Sequence, residues 1–132
     1  MVPRASKAAD EMGLDVEVVD LRSLDRAGLD WATISASVSK TNNVVVLEQS
    51  PLTASYGAMV TDEVQRRCFD DLDQPVALIR GGESAPSVSK VLERAAFVGL
   101  QEIKAGHTTQ MRAMRRPVAR PEGTPWARGG CP

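Results

Sequence analysis

The stretch Val44-Val45-Val46-Leu47-Glu48, set between Asn42-Asn43 and Ser50-Pro51, constrains this chain more than any other. A short apolar run rich in β-branched residues, bounded by turn formers, reads as a strand buried on both faces. Such strands belong to parallel sheets, whose members are joined through crossover helices. The loop after Glu48 must therefore carry the chain back over the sheet. In open α/β sheets that carboxyl edge is where ligands and partners sit. Glu48, Ser55, Tyr56 and Gly57 fall on it and are the candidates for a partner interface.

The flanking chain supplies the other layers. Ala5, Ala8, Ala9 and Met12 recur at helical spacing after Pro3, and Gly13 offers the left-handed stop that ends many helices. Val16 to Leu21 is a six-residue run rich in β-branched residues and predicts a strand. Asp30 is placed to cap a helix whose Trp31, Ile34 and Val38 share a face, with Lys40 in its last turn. After Gly57 a second stripe, Val60, Val64 and Cys68, predicts another helix, with Asp62 and Glu63 four residues ahead of Arg66 and Arg67.

Asp70 to Pro75 reads as a turn and Val76 to Ile79 as a strand, followed by a tight connection at Gly81-Gly82. Pro86 and Ser87 are suited to begin a helix that buries Val88, Val91, Leu92, Ala95 and Ala96, and Gly99 to end it. Leu100 to Ile103 predicts a short terminal strand. From Gly106 onward, Arg112, Arg115, Arg116 and Arg120 are interleaved with prolines and glycines without an apolar period. The expectation is a domain over residues 1–105 and a disordered Arg/Pro/Gly tail over 106–132. The element order is that of a three-layer α/β/α fold with a mainly parallel sheet, opening on a helix whose preceding strand is missing.

Few chemistries have material in this sequence. A net charge of −1 over 132 residues supplies no field for nucleic acid. No apolar run is long enough to span a membrane and no export signal is present, so the cytoplasm is the expected location. His107 is the only histidine, and Cys68 and Cys131 are too far apart in sequence to complete a metal site with it. A nucleophile has no base and orienter to form a triad, and Gly57 and Gly81-Gly82 fit neither phosphate-binding fingerprint. No catalytic, cofactor-binding or metal-binding residue is expected. Glu48 divides evenly between a functional carboxylate and a hydrogen-bond acceptor for the loop that follows it.

The ordered series Glu17-Val18-Val19-Asp20-Leu21-Arg22-Ser23-Leu24, Leu29-Asp30, Thr33-Ile34, Ser37-Val38, Lys40-Thr41 and Val44 to Glu48 resembles a known family. Tyr56-Gly57-Ala58, Phe69, Leu72-Asp73, Pro75-Val76, Gly81, Pro86 and Leu92-Glu93 continue it in the same order. The likeness is to the C-terminal transketolase domain of the beta subunit of thiamine-diphosphate-dependent 2-oxo-acid dehydrogenases. It implies an assembly and docking domain that is not catalytic alone. Its partners would be an alpha subunit or fused alpha segment, the beta subunit's pyrimidine-binding domain, and the lipoyl acyltransferase core. Thiamine diphosphate and magnesium would be held by those other parts.

Two features depart from the family: its domain begins with a strand inside the sheet before the first helix, and its members lack such a tail. A truncated or frame-disrupted reading frame accounts for both. A three-strand sheet missing the strand its first helix should pack on leaves backbone edges and apolar faces uncovered, which predicts an oligomer. The alternative from another class is a stand-alone interaction or ligand-binding module using the edge from Glu48 to Gly57.

Overall fold

The computed structural model describes residues 1–25, 27–51, 55–82 and 88–114, the last five by backbone alone. Helix α1 (Val2–Met12) carries Pro3 in its first turn. It ends at Gly13, at φ 65°, where Gly13 N–H donates to Asp10 O and Leu14 N–H to Ala9 O. That pair of bonds satisfies the last carbonyls and needs the left-handed residue glycine provides. Helix α2 (Trp31–Thr41) is capped by Asp30, whose carboxylate accepts from Thr33 N–H at 3.1 Å and Thr33 Oγ1 at 2.7 Å. Strand β1 (Val45–Leu47), helix α3 (Tyr56–Arg67), a 3₁₀ turn (Phe69–Asp71), strand β2 (Ala77–Ile79), helix α4 (Lys90–Ala96) and helix α5 (Leu100–Met114) follow.

The sheet is a parallel pair, with Val45, Val46 and Leu47 opposite Ala77, Leu78 and Ile79. Period-two alternation divides its side chains between two cores. Val44 and Val46 pack on the α2/α3 side with Leu29, Ile34, Val38, Val60, Val64, Cys68 and Val76. Val45 and Leu47 pack on the α1/α5 side with Ala8, Ile79, Val98 and Ile103. The expected α/β/α layering is therefore present around the two short strands found among the described residues. Both predicted i,i+4 pairs form, Arg66 to Asp62 and Arg67 to Glu63, each at 3.0 Å. Arg67 also lies 4.6 Å above the Trp31 ring, tying α3 to the start of α2. Cys68 is a buried free thiol, as its apolar stripe implies.

Four expectations are corrected. Val16 to Leu21 forms no strand among the described residues, and Val16, Val18 and Val19 remain 47%, 40% and 38% exposed. A strand exists only by pairing, and this segment lies against no ladder. For the same reason Val45 to Leu47 are half-buried instead of covered on both faces. Leu100 to Ile103 is the first turn of α5, not a strand: Ile103 packs with Ala8 and Ile79, and the helix continues through Gly106. A Cβ at Gly106 would stand 2.5 Å from Ile79 Cδ1, so this glycine lets α5 lie close on β2 where the sequence suggested the end of order. The remainder of the predicted tail, after Met114, lies outside the described residues.

Helix α4 is the fourth correction. It starts from Ser89, while Pro86 and Ser87 lie outside the described residues. Val88 is fully exposed, Val91 is 77% exposed and Leu92 59%, and neither Ala95 nor Ala96 is buried. Seven residues give the helix two turns and no described element to pack its apolar stripe against.

Among the described residues, an ion pair tethers the Val16 segment to α2. Lys40 Nζ donates to Glu17 Oε2 at 2.9 Å. That hydrogen bond, with the ammonium charge behind it, holds the Glu17 carboxyl below its ordinary range and raises Lys40 above its own. A lowered glutamate contributes stability above its unfolded value, roughly 4.3, and loses it as pH falls through the folded value. A raised lysine contributes below its unfolded value, about 10.4, and loses that contribution only as pH climbs through the higher folded one. The tether is thus intact across neutral pH and released in acid. Melting temperatures of the chain and of Lys40→Met should differ at pH 7 and converge below about pH 4; parallel curves would show that the pair contributes nothing.

Candidate functional site

The carboxyl edge of β1 is built around Glu48. Ser55 Oγ donates a short hydrogen bond to Glu48 Oε1, and Gly57 N–H donates to Oε2 at 2.8 Å. Ser55 Oγ in turn accepts from Ala58 N–H at 3.0 Å, the capping bond of α3. The carboxylate thus faces the positive end of that helix and satisfies a donor no intrahelical carbonyl can reach. Gly57 is buried, and a Cβ there would stand 2.8 Å from Glu48 Cδ and 2.9 Å from Leu78 Cδ1. Only glycine lets α3 approach the strand this closely.

The second loop of this edge is joined to the first. Gly81 N–H donates to Ser50 O at 3.1 Å, and a Cβ on Gly81 would lie 2.8 Å from Ala96 O. Gly82 N–H donates to Ala96 O at 3.3 Å. The glycines read from the sequence as turn formers therefore permit backbone contact between two strand ends and α4.

All four sequence candidates come together here. Glu48, Ser55 and Gly57 bind one another, so Glu48 is a hydrogen-bond acceptor for the loop that follows it. Tyr56 packs against the α2/α3 core, and its Oη is buried with no hydrogen-bond partner among the described residues.

Sequence reasoning missed a larger feature. A groove of about 750 Å³ separates the Val16–Leu21 segment from β1, with α1 and α5 on one side and α2 and α3 on the other. Its lining is mainly apolar, and it also receives Tyr56, Gln74 and His107. Tyr56 Oη, Gln74 Oε1 and His107 Nδ1 are each buried without a partner among the described residues. The signal for His107 was its place four residues after Ile103 on the α5 stripe, hidden by the reading of Gly106 as a break.

A diphosphate and its metal do not fit these residues. Asp15, Glu17, Asp20 and Glu48 line the groove against one arginine, Arg22, and no lysine. Four carboxylates repel a polyanion, and among the described residues no three His, Cys, Asp or Glu side chains are grouped to hold a cation.

Comparison with known proteins matches residues 1–103 to the family described as Transketolase, C-terminal domain. The chain is 43% identical over 84 residues to the 2-oxoisovalerate dehydrogenase subunit beta of Pseudomonas aeruginosa, covering 64% of this chain and 23% of that protein. It is 39% identical over 106 residues to the Pyruvate dehydrogenase E1 component subunit beta-2, mitochondrial, of Oryza sativa subsp. japonica, covering 78% and 28%. A third relative, the Pyruvate dehydrogenase E1 component subunit beta of Leifsonia xyli subsp. xyli, is 42% identical over 84 residues, covering 61% and 24%. The chain spans about a quarter of the length of these relatives.

Proposed function

The chain belongs to the transketolase C-terminal domain family, and on that premise we propose that it is the assembly and docking domain of a thiamine-diphosphate-dependent 2-oxo-acid dehydrogenase beta subunit. In this reading it is catalytically silent by itself. It takes part in oxidative decarboxylation and acyl transfer to lipoyl only with an alpha subunit, a pyrimidine-binding domain and the acyltransferase core, in the cytoplasm. The observation that carries it is the chemistry of the β1 edge. Glu48, Ser55 and Gly57 are bonded to one another, and the groove beside them is lined by four carboxylates and one arginine, a poor match for a diphosphate.

The test is calorimetry of the full 132-residue chain with thiamine diphosphate and magnesium, paired with sedimentation against the purified alpha subunit of a 2-oxo-acid dehydrogenase. The expected result is no cofactor binding by the chain alone and a defined complex with the alpha subunit. Stoichiometric cofactor binding without a partner would overturn the proposal, as would the absence of any complex.

A further inference from the structure

We draw no further inference here: the strongest candidate, the exposed apolar surface patch of Val88, Val91 and Leu92 at helix α4, carries nothing because nothing among the described residues shows what covers it.

Discussion

Gly57→Val is expected to cost about 3–5 kcal/mol, enough to unfold much of the chain at room temperature if its stability lies at the low end of the usual range. The cost has two parts. The new side chain starts from a Cβ within 3 Å of both Glu48 Cδ and Leu78 Cδ1, and neither neighbour can retreat freely. Leu78 Cδ1 can turn aside only into the core around it, and Glu48 is held by Ser55 and by the Gly57 amide itself. Overpacking of this kind costs about 1–3 kcal/mol, and displacing Glu48 removes charged hydrogen bonds worth about 1.5–3 each. A fall in melting temperature of roughly 10–20 °C follows for a domain of this size. Gly57→Ala should show a smaller fall of the same kind. A Gly57→Val protein melting within a few degrees of the parent would mean that α3 stands further from β1 than its Gly57–Glu48 contact indicates.

Glu48→Ala should cost about 2–3 kcal/mol, through loss of the acceptor for a buried helix N–H. Its measure is the midpoint of urea denaturation at unchanged slope, since a changed slope would report a different denatured or native state. Glu48→Gln retains one amide oxygen and should lose about half as much. Ser55→Ala, which removes the α3 cap, is expected to cost about 1 kcal/mol alone. Because Ser55 bonds both Glu48 and Ala58, the double variant should cost less than the sum of the two single ones. Additive losses would show that the carboxylate and the cap act independently. The proposed docking role adds a separate expectation: Glu48→Ala should weaken association with the alpha subunit even at temperatures where the variant is folded.

What could be read from the sequence divides by the distance over which it is decided. The Asp30 cap, the Gly13 stop, the paired charges of α3 and the Val44–Glu48 strand are settled within a few residues, and each is found where the spacing places it. Val16 to Leu21 has the composition of a strand as clearly as Val44 to Leu47 does. The difference is a neighbour, which no local pattern supplies. Leu100 to Ile103 failed for the opposite reason. Four residues cannot separate a period of two from one of 3.6, and Gly106 looked like punctuation because its tight fit against Ile79 is a tertiary fact. The exposed face of α4 reads as a core stripe for the same cause. Within the candidate site, residue identities were visible and their roles only half so. The groove was invisible, being formed by segments that run from Met1 in α1 to His107 in α5.

The division of β1 between two cores has a consequence for cooperativity. Val44 and Val46 belong to one cluster and Val45 and Leu47 to the other, so a strand of three residues is a principal mechanical link between two helical layers. Helices α1 and α5 are bound to each other through Lys104 to Glu11 and through Arg4 to the carbonyl of Val98, just before α5, and α5 rests on the sheet through Ile79 of β2. A layer so tied can detach as a unit while α2 and α3 keep their own packing. The free energy that opens the α1/α5 layer is then smaller than the one that unfolds the chain. The domain is expected to behave as two coupled folding units, with the half-buried strand setting how strongly each senses the other.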